Sequence, residues 1–284
     1  MSVWSSGVAE AQGLLRGTRR LLEGRDLSAA AATLTYFAGI AVVPWLLLAL
    51  WTSSWTAGAG AAQDRLLELR VLVPPDMGAR PSYDALVEAA THLGLLGALV
   101  VLFPASFYGE GLRRAALELA PHDDRLTGWR ARLALMPSLL ALPVLAWGFL
   151  ATGDALVPLA PEGGGGGPVD RVVRIVVGFV AVWLVLAVLL AWVFVVVMPE
   201  RPLAWVAVAG ALGTGSFLAG FLHGFQLFLA LPVDVGIPFG GLGVVGGVVA
   251  VGLWLYVLHV FVLLGWTATR ALDLRVRGGR EALA

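Results

Sequence analysis

The residues best able to do chemistry lie in "FPASFYGEGLRRAALELAP", positions 103–121. Glu110, Arg113 and Arg114 are three and four residues apart, so on a helix either arginine can pair with the carboxylate on one face. Ser106 stands one turn earlier, and guanidinium groups at the edge of a membrane suit phosphate. A second polar group opens the run "AAATLTYFAGIAVVPWLLLALW", with Thr33, Thr35 and Tyr36 ahead of Pro44. A mid-helix proline removes a backbone hydrogen bond and bends the helix, so Pro44 is the expected hinge. A third, looser set of polar intramembrane candidates is His223 and Gln226 on one helix, with His259 on the next. Each has a plainer reading. A threonine can bond its own helix backbone, a tyrosine can belong to an interfacial aromatic belt, and a histidine can bridge two helices. Arginines flanking a span are also ordinary topology signals.

Other chemistries lose their means. The four histidines (92, 122, 223, 259) form no HExxH or paired set, so neither a metal site nor any other cofactor is expected. There is no cysteine, and all nineteen basic residues are arginine, which removes thiolate nucleophiles, disulfides, P-loop lysines and Schiff bases. No nucleophile–base pair is legible, so catalytic residues are not assigned and the chain is not read as an enzyme. Net charge is zero, with no basic face to attract nucleic acid.

The elements that must position these residues are membrane helices. Of 284 residues 59% are hydrophobic and 13% charged, against about 45–50% and about 25% in soluble domains. Apolar runs at about 29–53, 86–109, 131–152, 171–198, 203–230 and 240–270 give an all-α, polytopic bundle of six transmembrane helices. Residues 1–28 form a basic amphipathic segment, 29–272 the membrane domain and 273–284 a basic tail. In the first segment Leu14, Leu15, Thr18, Leu21 and Leu22 share a helical face, the pattern of an interfacial helix. Residues 60–73, ahead of Pro74 and Pro75, read as another surface helix, and "PEGGGGGP" at 161–168 as a flexible connection. Fourteen of the nineteen arginines fall on the side of both termini, which the positive-inside rule makes cytoplasmic. By that topology the Glu110 and Thr33 groups share a depth and a side, enough for one polar cavity. Pairs Gly220/Gly224, Gly236/Gly240 and Gly243/Gly247 predict tight packing of the last two spans, within one chain or in a homo-oligomer.

Four stretches taken in order carry a resemblance: "SAAAATLTYFAGIAVVPWLLLAL", "FPASFYGEGLRRAALE", "VMPERPLAWVAVAGAL" and "FGGLGVVGGVVAVGLWLYVLHVFVLLGWTATRAL". Together they resemble the YihY/BrkB family of bacterial inner-membrane proteins over about residues 29–272. The chain departs from the family at Phe103, where tryptophan is usual, at Glu118, near a usual asparagine, and at Thr267, in place of an acid. The resemblance implies a multi-pass envelope protein, with roles proposed in moving lipids or lipopolysaccharide precursors. An older ribonuclease label for such proteins finds no support in these residues. The expected function is binding and translocation of an anionic lipid or lipid-linked precursor. Arg113 and Arg114 would hold the phosphate, Glu110 would orient one of them, and Thr33–Tyr36 would line the entry. The alternative is a non-transporting scaffold for envelope-building partners.

Overall fold

The computed structural model describes residues 3–57, 59–68, 70, 79–121, 127–140, 168–229 and 236–281. All regular structure among them is helical. Helix α1 (Val3–Leu22) is followed by α2 (Leu27–Ala57), α3 (Ala59–Glu68), α4 (Ala79–Thr91), α5 (Leu95–Leu119) and α6 (Thr127–Leu135). Then come α7 (Pro168–Trp192), α8 (Ala204–Leu229) and α9 (Gly243–Glu281). Five of these, α2, α5, α7 with its extension, α8 and α9, are long and apolar enough to cross a membrane. The third expected span, 131–152, is described only to residue 140, as α6 and a short 3-10 turn (Met136–Leu140). The connection at 161–168 lies outside the described residues except for Pro168, the first residue of α7. A helix does form over most of 60–73, as α3.

Local sequence explains the boundaries. Gly24 adopts φ of 73°, turning the chain between α1 and α2. Asp26 then caps α2, its carboxylate accepting the Ala29 amide at 2.9 Å and the Ser28 hydroxyl at 2.7 Å. Those two bonds hold the Asp26 carboxyl below its ordinary value of 3.8. Helix α7 ends in a π turn, Val193–Val197, and α8 starts just beyond the "PERP" turn. With 39 residues, α9 runs about 58 Å, nearly twice the hydrocarbon thickness of about 30 Å, so one end must project. Helix α1 packs along that end.

The long helices close into a ring. Helix α2 packs on α5 and α9, α9 on α8, α8 on α7, the π turn on α6, and α6 on α5. Indole N–H groups pin three of these contacts: Trp45 to the Ala105 carbonyl at 3.0 Å, Trp183 to Leu212 at 2.7 Å and Trp192 to Ala134 at 3.0 Å. The Trp45 bond also sets Pro44 of α2 level with Pro104 of α5, and α2 remains helical through Pro44. The main apolar core, including Leu34, Leu112, Phe194, Leu263 and Trp266, fills the end where α2 begins and α5 and α9 finish. Large aliphatic side chains such as Leu96, Val100, Val244 and Val248 face outward, as expected of a lipid-facing surface.

The last two spans are packed differently from the sequence expectation. Side chains added at Gly220, Gly224, Gly240, Gly243 or Gly247 would meet no described residue within 4 Å. The close approach uses Gly210 and Thr214 of α8 against Gly265 and Thr269 of α9. Thr269 fills the space over Gly210 and Thr214 the space over Gly265. Each threonine hydroxyl donates back to its own helix, Thr214 to the Gly210 carbonyl and Thr269 to the Gly265 carbonyl, both at 2.7 Å. Running antiparallel, the two helices thus make a reciprocal small-to-large match. GxxxG spacing alone could not select it, because both pairs read Gly-x-x-x-Thr.

Candidate functional site

The polar end of the ring centres on Glu110. Its side chain is 7% exposed, in a part of α5 otherwise lined by Gly109, Gly111 and Leu112. Two of those neighbours are glycines for steric reasons. An added Cβ at Gly109 would lie 2.5 Å from the Ala131 carbonyl of α6, and one at Gly111 would overlap Phe37 of α2. The first turn of α6 crosses directly over the carboxylate, where an added Cβ at Gly128 would stand 3.3 Å from Glu110 Oε1. That placement lets α6 deliver a second arginine.

Two guanidiniums from different helices share the carboxylate. Arg114 Nε donates to Oε1 at 2.8 Å, the i, i+4 bond that the spacing predicts. Arg132 Nε donates to Oε2 at 2.7 Å from α6, and the same pair forms an ion pair. Arg132 also lies over the Phe107 ring at 3.7 Å, and Arg114 over Phe37 at 5.7 Å. One buried negative charge therefore meets two positive ones. The surplus is carried by Arg114, whose side chain is 56% exposed against 24% for Arg132.

Arg113 points elsewhere. It donates to the Val197 carbonyl at 2.9 Å, a carbonyl left at the end of the π turn. The adjacent arginines thus diverge, and Arg132 stands beside Arg114 where the sequence reading has Arg113. Its number marks it only as one more arginine in the flank of span two; no spacing rule links it to Glu110.

The Thr33–Tyr36 group divides three ways. Thr33 donates to Glu118 at 3.3 Å, joining α2 to α5. Thr35 lies 3.0 Å from His259 Nδ1 and also bonds the Ala31 carbonyl at 2.8 Å. Tyr36 is 68% exposed and faces away from the bundle, the belt position. Ser106 is buried and returns its hydroxyl to the Phe103 carbonyl at 2.6 Å. These side chains do not converge on one cavity with Glu110.

His259 instead forms its own junction. Buried in α9, it meets Thr35 of α2 and, at 3.3 Å through Nε2, Tyr108 of α5. Three helices share one imidazole, the bridging role the sequence reading weighed for it. The side chains of His223 and Gln226 lie outside the described residues. Further along the same end, Arg270 binds Glu200 through two bonds of 2.6 Å, and Asp273 accepts the Leu203 amide at 2.8 Å and Arg277 at 2.7 Å. Among the described residues no three of His, Asp and Glu come together as metal ligands do. Thr267 is fully buried and bonds the Leu263 carbonyl at 2.8 Å. A carboxylate there would need a counter-charge that the threonine does not.

A sequence model described as "Virulence factor BrkB" matches residues 19–283. The chain belongs to the BrkB family. That span takes in every polar contact described above, and the chain is a BrkB family membrane protein with several apolar helices. Comparison with curated proteins and with solved structures gives no match.

Proposed function

We propose that this BrkB family member is a multi-pass protein of the bacterial inner membrane that binds an anionic lipid or lipid-linked precursor and takes part in moving it. The observation that carries the reading is the Glu110 cluster: two guanidiniums on one buried carboxylate leave a net positive charge, and the more exposed of them is Arg114. A phosphate at that edge would meet Arg114 with Arg132 behind it, while Glu110 keeps both arginines oriented. Arginine bias puts this end, with both termini, in the cytoplasm. Helices α1 and α3 then suit the membrane surface by their mixed faces.

Arg114→Gln tests the reading with little structural damage, because Arg132 still neutralises Glu110. Native mass spectrometry of purified protein should show retained phosphatidylglycerol on the wild type and on Arg113→Gln, and its loss from Arg114→Gln. Equal retention by all three would overturn the assignment. A fluorescent-lipid flux assay in vesicles then measures movement, with Arg114→Gln expected to slow it.

The scaffold reading draws on a separate observation. Among the described residues nothing stands within 4 Å of a side chain added at Gly243 or Gly247, and both lie beside exposed Val244 and Val248, a face on which a partner helix would fit. Because the chain has no cysteine, Gly243→Cys and Gly247→Cys crosslinking reports on that face directly. Crosslinks to a partner, with Arg114→Gln silent in both lipid assays, would favour the scaffold.

A further inference from the structure

A groove of about 460 Å³ runs between α1 and the projecting end of α9, separate from Glu110. Its size is within the roughly 300–1,000 Å³ of ordinary ligand sites. Three arginines line it, Arg16 and Arg20 from α1 and Arg275 from α9, and among the described residues no acidic side chain does. Among the described residues no ion pair reaches any of the three. Four other arginines on this end, Arg114, Arg132, Arg270 and Arg277, are each matched to a carboxylate, while Arg19, Arg25, Arg130 and Arg201 are in no ion pair among the described residues.

The groove is built by two glycines. Gly13 and Gly17 lie one turn apart on the face of α1 that meets α9. An added Cβ at Gly17 would touch Ala271 at 3.4 Å. One at Gly13 would stand 2.8–3.0 Å from the Arg275 guanidinium. With no side chain at Gly13, Arg275 lies across α1 and donates to the Glu10 carbonyl at 3.2 Å. Arg16 is steadied by a 3.3 Å bond from Nε to the Gln12 carbonyl, which leaves its terminal amino groups to bind something else. Arg20 follows one turn on. Leu15 and Leu274 are exposed at 70% and 54%, so apolar side chains stand beside the guanidiniums as at a headgroup–acyl boundary.

We propose that the α1–α9 groove is a second anion site, in which Arg16, Arg20 and Arg275 bind a phosphate group, supplied by an anionic phospholipid headgroup, and that this phosphate holds α1 on the bundle. The site shares no residue with the Glu110 cluster. It depends on the function proposed above only in placing this end of the bundle at headgroup depth.

Hydrogen exchange along α1 tests it with the full-length protein in nanodiscs. Phosphatidylglycerol mixed into phosphatidylcholine should slow α1 exchange in the wild type, and Arg16→Gln/Arg20→Gln should remove that protection. Titrated by native mass spectrometry, the variant should bind phosphatidylglycerol at this site roughly 30-fold more weakly, at about fivefold per arginine. Inorganic phosphate added to pure phosphatidylcholine discs distinguishes the sources: protection there too assigns the groove to free phosphate as well as lipid. No protection of wild-type α1 by either phosphate source, or undiminished protection in the variant, would overturn the site. The wild-type comparison needs no mutant to fold. Arg114→Gln should leave α1 protection intact, so failure at one site is separable from failure at the other.

Discussion

The α8–α9 crossing offers the sharpest energetic test. Replacing Gly210 with alanine would put a methyl group 2.8 Å from both Cβ and Cγ2 of Thr269 and into overlap with its hydroxyl. Ordinary contact begins near 3.4 Å, so even with the hydroxyl turned away the helices would have to separate by at least roughly 0.6 Å, enough to forfeit a quarter to a half of each contact's attraction. Within a bilayer nothing replaces that loss, because lipid is as apolar as the helices and packing drives their association. Overpacking of this kind costs about 1–3 kcal/mol, or about 5- to 150-fold in the ratio of folded to unfolded protein. Trimming Thr269 to alanine would relieve it only in part, since the Cβ contact remains, whereas Thr269→Gly would remove it. Detergent-titrated unfolding, followed by tryptophan fluorescence, suits a chain with eleven tryptophans and Trp266 buried beside the crossing. Gly210→Ala should destabilise, Thr269→Gly should destabilise by leaving a void, and the double variant should cost at least 1 kcal/mol less than their sum by a double-mutant cycle. Strict additivity would refute the reciprocal fit. The same cycle on Gly265 and Thr214 should give the same sign.

Other expectations follow from the polar contacts. Glu110→Gln leaves Arg132 and Arg114 without their anion, and should cost about 2–3 kcal/mol in the same unfolding assay, below the 3–5 of a fully buried pair because both arginines reach solvent. His259→Leu removes the junction between α2, α5 and α9 and should cost about 1–2 kcal/mol, with Tyr108→Phe largely non-additive to it; full additivity would dismiss the shared junction. Asp26 has a folded pKa below 3.8, so its capping contribution is complete above that pH and is lost as pH falls through the lower folded value. Exchange at the Ala29 amide, corrected for its intrinsic rate, should therefore accelerate in acid for the wild type. Asp26→Asn, which caps without titrating, should show no such step.

Much of the architecture was legible in residue order because it depends on local rules. Twenty apolar residues span a bilayer whatever surrounds them, and a helix brings Glu110 to Arg114 by its own pitch. The apolar length of α2 and the family pattern are of this kind, whereas the span expected at 86–109 is divided between α4, ending at Thr91, and α5, Leu95–Leu119. Six spans were expected and five are described, since most of 131–152 lies outside the described residues. Leu15, placed on the apolar face of α1 by periodicity, is exposed, because α1 rests on α9 through its glycines.

Contacts between helices were decided elsewhere. Arg132 joins Glu110, Arg113 turns to Val197, and Thr35 meets His259 rather than a cavity. Each depends on how far one helix is rotated and slid against another, and no periodicity within a single segment encodes that. The glycines make the same point: Gly243 and Gly247 match a recognised spacing and approach none of the described residues, while Gly210 and Gly265 leave the room in which a threonine of the neighbouring helix lies over each. Sequence alone determined which segments become helices and which polar groups they carry to the membrane edge. Tertiary structure determined which of those groups meet, because a buried charge or a close crossing is satisfied only by the partner that another helix delivers.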